Sequence, residues 1–270
     1  MTKTELAKKL GVSRSSLYYK SKQDLKDKKI LPEIKKIMSM NPSYGHRRIA
    51  IALKVNHKKV LRLMKKFNLV PELKRVKSKY NRVKQRKVET NLIKNFCPIV
   101  PNVVWLSDFT YLRFKNKFVY LTTVIDVFSR KVIGWHLSLK QDSKMVQKAL
   151  LEAFREGSPE FFHSDRGSQY QDRGLEELLN SKNIKPSKSD KSSPWQNSWQ
   201  ESFFSQFKLD LNGTGRFQDY DELVDGIYQQ IEYYNNKRIH TALKKSPQEF
   251  LLEYRDSLQR VDTVSKKMGT

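Results

Sequence analysis

In the C-terminal two thirds of the chain, the spacing of apolar residues is first typical of β-strands. It then changes back and forth between the spacing typical of helices and that typical of strands. Runs dense in β-branched and aromatic residues predict three consecutive strands joined by short turns, at residues 103–114, 118–128 and 131–139. Further apolar periods predict helices at 143–156, 175–179, 220–234 and 247–254, and strands at 160–163 and 184–189. Three antiparallel strands followed by alternating helices and strands predict an α/β domain built on a mixed five-stranded sheet flanked by helices.

One more helix is predicted before the long C-terminal helices, and it is unusually aromatic. Four aromatic residues recur at every fourth position and form one stripe that should pack on the sheet: Trp195, Trp199, Phe203 and Phe207. Asn197 and Glu201 form a second row beside that stripe, and Lys208 lies two turns beyond Glu201. Ser193 as a cap and Pro194 in the first turn mark the predicted start.

Three acidic residues lie in apolar or aromatic surroundings. Asp108 is in the middle of the first predicted strand, Asp165 follows the fourth, and Glu201 is in the aromatic helix. An isolated acid is usually a solvated surface group, but a carboxylate in a buried strand is costly unless it is paired or holds a metal. Carboxylate oxygens suit hard Mg²⁺ or Mn²⁺ ions, so the trio predicts a metal-dependent phosphoryl-transfer site with two ions.

Other polar residues in this domain have less specific interpretations. Asp126 is close enough in sequence to form a structural ion pair with Arg130. His163 shares a strand face with Asp165, and packing is favoured over ligation because hard ions prefer oxygen. Asn235, Arg238 and His240 are expected to be structural or to contact DNA.

Charge separates the chain into two parts. The net charge is +25, and residues 1–100 contain 28 basic against 6 acidic residues, so they carry +22 of it. A basic module joined to a nearly neutral one is typical of a nucleic-acid-binding unit attached to a catalytic unit. The single cysteine, Cys97, excludes a disulfide framework. Without a signal peptide or long apolar span, we expect a cytoplasmic, nucleoid-associated protein with no membrane contact.

The first basic segment, residues 1–25, predicts a helix-turn-helix with its turn at Gly11 and a second helix capped by Ser13. Arg14 would then begin the recognition helix. Its small core would consist of Leu6, Leu10, Val12, Leu17 and Tyr18. A plain helical hairpin that packs on another domain is an equally good interpretation of so short a segment.

A second helix-turn-helix unit is predicted at residues 26–71. Its helices would lie around Ile34–Met38, at 47–53 and at 57–67, the last capped by Asn56 and turning Val60, Leu61 and Met64 inward. The basic residues predicted to contact DNA are Arg47, Arg48, Lys58, Lys59, Arg62 and Lys66. Basic helix faces are often only solvated, but the scarcity of acidic residues here favours DNA. A basic linker follows at 72–97, then the catalytic domain with its C-terminal helices at 98–260 and a tail at 261–270.

Several motifs together resemble one family. WLSDFTYLRF, TTVIDVFSRKVIGWHLS, FHSDRGSQY, QNSWQESFFSQFK and YNNKRIHTALKKSPQEF occur in the order found in the DDE catalytic domain of IS-three-family insertion-sequence transposases, which are relatives of retroviral integrases. NPSYGHRRIAIALK and VNHKKVLRLMKKFNLVP resemble the helix-turn-helix that precedes that domain. The resemblance covers roughly residues 30–255. It implies an RNase H-like fold, places the catalytic acids at Asp108, Asp165 and Glu201, and places a DNA-contacting lysine at Lys208.

The same resemblance implies what the protein does. A DDE transposase binds the terminal inverted repeats of its element, cuts them, and joins the freed 3′-hydroxyl to another phosphodiester, by a copy-out, paste-in route through a circular intermediate. We expect Asn197 and Lys208 to contact DNA and the protein to act as a homodimer or higher multimer. Because no heptad run precedes the first module, the chain resembles the downstream OrfB-type product, which is often fused to an upstream OrfA-type partner.

Two alternatives belong to other classes. A catalytically silent relative that only occupies the ends would have lost one of the acids, and all three are present. An integrase of the retroviral kind would need paired histidines and cysteines in an N-terminal zinc module, and Cys97 stands alone.

Overall fold

The computed structural model describes residues 2–18, 22–73, 98–188 and 198–268. The chain divides into two compact units, Met1–Glu72 and Leu73–Thr270. Most of the predicted linker and all of Ser193–Asn197 lie outside the described residues. None of the described helices is long and apolar enough to cross a membrane.

The N-terminal unit is helical, but its first segment is not the predicted pair of helices. Helix α1, Lys3–Lys9, starts with a capping box in which the Thr2 hydroxyl accepts the Glu5 N–H and the Glu5 carboxylate accepts the Thr2 N–H. Only a 3₁₀ turn, Arg14–Tyr18, follows. The expected core does not form, since Leu10, Val12 and Tyr18 are more than 40% exposed. In this segment the Ser13 hydroxyl bonds to the Ser15 and Ser16 hydroxyls, each at 2.8 Å, and accepts the Ser16 N–H at 3.3 Å.

Three further helices build the small core of this unit: α2, Lys22–Met40, α3, His46–Ala52, and α4, His57–Lys66. Helix α2 runs across the predicted boundary at residue 25. Asn56 caps α4 as predicted, its side chain accepting the Lys58 N–H at 2.8 Å. Leu63 rather than Leu61 is fully buried beside Val60, because the buried positions of α4 fall at 60, 63 and 64.

The larger unit contains every strand and helix predicted between residues 103 and 254, in the predicted order. Its sheet has the order β3-β2-β1-β4-β5, with β1 antiparallel to β2 and β2 to β3, and with β4 parallel to β1 and β5. The strands are β1 Val104–Phe114, β2 Lys117–Asp126, β3 Val132–Ser138, β4 Phe161–Ser164 and β5 Lys185–Lys188. The helices are α5 Ser143–Ala153, α6 Arg173–Ser181, α7 Ser198–Leu211, α8 Tyr220–Asn236 and α9 Pro247–Met268.

Alternation along β1 divides its side chains between two cores. Leu112 and Phe114 pack with α7 and α8 on one face, whereas Trp105 packs with α5 and α6 on the other. Residues of β1 with even numbers, Asp108 among them, therefore belong to the α7 face. The position of the candidate active site follows from this placement of Asp108.

Three details of this unit differ from the sequence-based expectation. Asp126 forms no ion pair with Arg130 within the described residues; its carboxylate instead accepts the Ser129 N–H and hydroxyl and the Asn102 N–H, while the Arg130 guanidinium lies over the Trp199 ring. A short turn brings its own N–H groups nearer to the carboxylate than a long side chain does. The predicted tail at 261–270 is mostly helix, because α9 continues to Met268 with no proline or glycine before Gly269.

The third difference is the packing face of α7. Its buried residues are Gln200, Phe203, Phe204, Phe207 and Leu211, and Trp199 lies at the margin, partly buried. The apolar face is therefore rotated from the predicted stripe toward Gln200 and Phe204. Trp195, the other predicted member, lies outside the described residues.

Asn235 near the end of α8, and Arg238 and His240 in the segment after it, make contacts within the domain. The Asn235 amide both donates to the Val132 carbonyl and accepts the Val132 N–H, each at 2.9 Å, and so fixes α8 to β3. Arg238, 2% exposed, bonds to Asp210 and Gln206 of α7. His240 forms an isolated backbone bridge with Lys245.

Candidate active site

Asp108 lies in the middle of β1, opposite Thr123 of β2, on the face covered by α7. Its Oδ1 accepts the Phe109 N–H at 2.8 Å. No other hydrogen bond to this carboxylate was found among the described residues. A partly buried acid with one backbone donor is poorly compensated for its lost hydration.

Asp165 follows directly after β4. The parallel register pairs Leu106 with His163, so continuing it by two residues brings Asp165 alongside Asp108 on the same face. The Asp165 Oδ1 accepts the Gly167 N–H at 2.9 Å. A Cβ added at Gly167 would displace the Gln169 amide and lie 3.0 Å from that Oδ1, so the absence of a side chain at 167 leaves room for both groups.

Glu201 lies in the first described turn of α7, which packs on the face of β1 that carries Asp108. Its side chain is exposed, while partial burial raises the pKa of its carboxyl. Glu201 is far from β1 and β4 in sequence. It lies near the sheet because the aromatic face of α7 packs on the sheet.

Electrostatics join the three acids. The pKa of Asp108 is raised from 3.8 to about 7, chiefly by burial and in smaller part by the negative charges of Asp165 and Glu201, against the opposing effect of the Phe109 N–H. The buried Tyr170 hydroxyl, bonded to Ser107 at 3.0 Å, has its pKa raised by burial and then by the charge of Asp108. The Asp108 carboxylate is thus close enough to Asp165 and Glu201 to be affected by their charges. Across the described ranges, however, no three acid, histidine or cysteine side chains already stand close enough to hold a metal ion.

Gln200 is a residue of this region that sequence analysis overlooked. It is fully buried, and its Nε2 donates to the Leu106 carbonyl at 2.7 Å while its Oε1 accepts the Thr123 hydroxyl at 3.1 Å. The sequence does contain a signal for Gln200. Phe203, Phe204 and Phe207 follow it at spacings of three, four and seven residues, so the amide lies within the apolar face of the helix.

The other residues predicted for this site have varied surroundings. His163 is fully buried and bonded through Nδ1 to the Ser187 hydroxyl at 2.9 Å, and burial lowers its pKa to about 4. Lys208 is exposed, its ammonium lies 5.0 Å from the centre of the Tyr111 ring, and partial burial lowers its pKa. Asn197 lies outside the described residues.

In the N-terminal unit, one predicted DNA contact has a structural role. The Arg62 guanidinium donates two hydrogen bonds, at 2.8 and 2.5 Å, to the buried Asp27 carboxylate of α2, and the Lys66 ammonium lies 3.8 Å from it. Arg62 lowers the pKa of Asp27 by these bonds. Arg14, Arg47 and Lys58 are exposed, and Lys59 is half-buried.

Arg48 is half-buried, with its guanidinium 5.6 Å from the centre of the Tyr44 ring. Arg62 remains 42% exposed, and its guanidinium in addition pairs with the buried Asp27 carboxylate of the neighbouring helix.

Comparison with known proteins agrees with this fold. Two family models, both described as "Integrase core domain", match residues 100–194 and 182–247. The transposase for insertion sequence element IS904 of Lactococcus lactis is 35% identical over 85% of this chain and 96% of its own. The putative transposase InsK for insertion sequence element IS150 of Escherichia coli is 32% identical over 89% of each chain.

A solved structure supports the fold. The simian T-cell lymphotropic virus intasome, in complex with PP2A regulatory subunit B56 gamma, aligns with a TM-score of 0.52 over 80% of this chain and 73% of its own, at 17% identity. The fold and the family models define a polynucleotidyl transferase of the DDE class, built on an RNase H-like integrase core. The chain belongs to the insertion-sequence transposases of the IS-three family and their relatives, and its function is DNA transposition and integration.

Proposed function

We propose that Asp108, Asp165 and Glu201 are the catalytic acids of this transposase and that together they hold two divalent ions, Mg²⁺ in the cell and Mn²⁺ as a substitute. The observation that carries this assignment is Asp108. Its pKa is raised to about 7 by burial and by the two other acids, an arrangement that is unfavourable without a cation and favourable with one.

The available ligands fit such ions. Carboxylate oxygens are the ligands that hard divalent ions prefer, and the nearby His163 nitrogen already has a partner in Ser187. Because no ready-made cluster of three exists among the described side chains, we propose that Glu201 completes the set by side-chain rotation. Glu201 is exposed, so such a rotation costs little packing.

The residues of the site have distinct tasks in this scheme. Bound divalent ions would activate the attacking water or 3′-hydroxyl and stabilise the leaving oxygen. Asp108 must lose its proton before it can serve as a ligand, and Asp165 is held by the Gly167 N–H. Lys208 would hold a phosphate near the reacting bond from two turns along α7. One phosphodiester is broken for each one formed during strand transfer, so no ATP is required.

The substrate is proposed to be double-stranded DNA, namely the terminal inverted repeats of the element and its target. The basic residues Arg14, Arg47, Arg48, Lys58, Lys59 and Lys66 would bind phosphates of the ends, with Asn197 contacting DNA beside the acids. Action on two ends calls for a homodimer or higher multimer, aided by an upstream OrfA-type product. A DNA substrate places the protein in the bacterial cytoplasm, on the nucleoid.

The test uses purified full-length protein and duplexes made from the sequences that flank its gene. With Mg²⁺ we expect cuts at one defined position on one strand, followed by joining of the new 3′ end to a second phosphodiester. Cuts scattered along the duplex, or identical cutting by the Glu201→Gln variant, would overturn the assignment.

A further inference from the structure

Gln200 is a buried polar side chain inside an otherwise apolar contact. It is 0% exposed, between Trp199 at the margin of the sheet and Phe203 and Phe204 in the core. Buried amides are retained only where their hydrogen bonds are made. Here the amide makes them with backbone and side-chain groups of two strands.

Both strands are contacted at positions that flank Asp108. The Nε2 group donates to the Leu106 carbonyl at 2.7 Å and toward the Thr123 carbonyl at 3.4 Å, and the Oε1 accepts the Thr123 hydroxyl at 3.1 Å. Leu106 is two residues before Asp108 on the same face of β1, and Thr123 is the residue paired with Asp108 on β2. Glu201 follows Gln200 directly, so the amide connects the helical turn of one acid to the strands around the other.

Apolar packing could hold α7 on the sheet, but it could not fix the rotation of the helix as closely as the Gln200 hydrogen bonds do. Burial of Phe203, Phe204 and Phe207 is non-directional and tolerates small shifts along and around the helix axis. Hydrogen bonds from one amide to two strands are lost when the helix turns or slides, because their strength falls steeply with distance and angle. Glu201 projects from the same turn and would move with it.

We propose that Gln200 is a positioning residue, whose amide sets the distance of Glu201 from Asp108 and thereby the affinity of the site for divalent ions. The inference rests on the proposed function of the three acids. In this proposal Gln200 supports catalysis by positioning Glu201, although its own side chain contacts neither metal nor DNA.

The experiment compares Gln200→Met with a matched control, Asn235→Leu, in the full chain. Methionine keeps the length of the side chain and removes every hydrogen bond. Asn235 is also a buried amide that fixes a helix to a strand, but it does so at Val132, through contacts with neither Leu106 nor Thr123. The readout is Mn²⁺ binding followed by electron paramagnetic resonance, with thermal unfolding and cleavage of the gene-flanking duplexes measured alongside.

We expect Gln200→Met to weaken Mn²⁺ binding about 10–100-fold, as loss of a residue that supports metal ligands does. Excess Mn²⁺ should restore part of its cleavage. Asn235→Leu should be destabilised similarly while binding Mn²⁺ within about twofold of wild type. Equal loss of Mn²⁺ affinity in both variants, or none in Gln200→Met, would overturn the proposal.

Two further variants keep the result decisive. If Gln200→Met does not fold, Thr123→Val removes only the bond to Oε1 and should shift Mn²⁺ affinity in the same direction by a smaller factor; an unchanged affinity there counts against the proposal. Glu201→Gln separates the two levels of inference. If it binds Mn²⁺ and cuts like wild type, the assignment of the acids fails; if it loses both while Gln200→Met retains both, only the positioning role fails.

Discussion

Replacing Asp108 with asparagine should make the metal-free protein more stable at pH 8 while abolishing its activity. The carboxylate is partly buried and faces the charges of two other acids, whereas an isosteric amide carries no charge. Its oxygen can still accept the Phe109 N–H. The variant therefore removes an unfavourable interaction and retains the favourable one.

The magnitude follows from the raised pKa of Asp108, which moves from 3.8 to about 7 on folding. The unfolded chain therefore releases this proton at lower pH than the folded chain, so stability falls as pH rises between these values. The penalty is absent below pH 3.8 and complete above pH 7. Three units at ~1.4 kcal/mol each give about 4 kcal/mol at most, which is a rise of several degrees in the thermal midpoint of a domain of this size.

The assay is urea and thermal unfolding with EDTA at pH 4 and pH 8, followed by tryptophan fluorescence. All four tryptophans lie beyond residue 100, so the signal reports on the catalytic unit alone. The control is Asp126→Asn, in which an amide replaces a carboxylate that accepts three hydrogen bonds. That variant should lose about 1–3 kcal/mol.

Asp108→Asn could prove no more stable than wild type at pH 8, or its gain in stability could be as large at pH 4 as at pH 8. Either result would mean that burial and the neighbouring acids do not destabilise the ionised Asp108 carboxylate, and the physical argument for a metal ion at this position would fail.

Three further outcomes are expected. Asp165→Asn should abolish cleavage but leave DNA affinity nearly intact in gel-shift titrations, since it removes a metal ligand and not the basic surface; equal losses of both would contradict that division. Lys208→Ala should weaken binding about equally for all sequences and reduce the slope of log affinity against log salt by about 1, and an unchanged slope would exclude a phosphate contact. Arg62→Met should destabilise the N-terminal unit by about 1–3 kcal/mol by removing both guanidinium hydrogen bonds to the buried Asp27 carboxylate, measured by circular dichroism, and an unchanged melting curve would refute that structural role.

Elements with a long, regular period could be predicted from sequence. The alternation of β1 and β2 and the helical period of α8 depend on local patterns that one face of a sheet or helix must satisfy, and all three elements are present where expected. The serine-rich segment after Gly11 has no such period. Its interpretation as a second helix relied on the Gly11 turn, the Ser13 cap and a few apolar positions, and the structure has a 3₁₀ turn at Arg14–Tyr18.

Partners of polar side chains were harder to predict. Asp126 was expected to pair with Arg130 because opposite charges four residues apart attract, yet turn N–H groups satisfy the carboxylate at closer range. Arg62 was predicted to face outward and contact DNA, and its pairing with an acid was not foreseen. Its buried partner, Asp27, is 35 residues away in sequence, and sequence periodicity carries no information about such a pair.

Local pattern and composition are enough to predict the class of fold, the concentration of positive charge in the first 100 residues, and three acids in apolar surroundings. The folded arrangement is needed to show that Asp108 feels the charges of Asp165 and Glu201 and that Gln200 connects α7 to β1 and β2. The physical reason is that strand register and helix rotation are set by packing between distant segments, and those two quantities decide which carboxylates face each other.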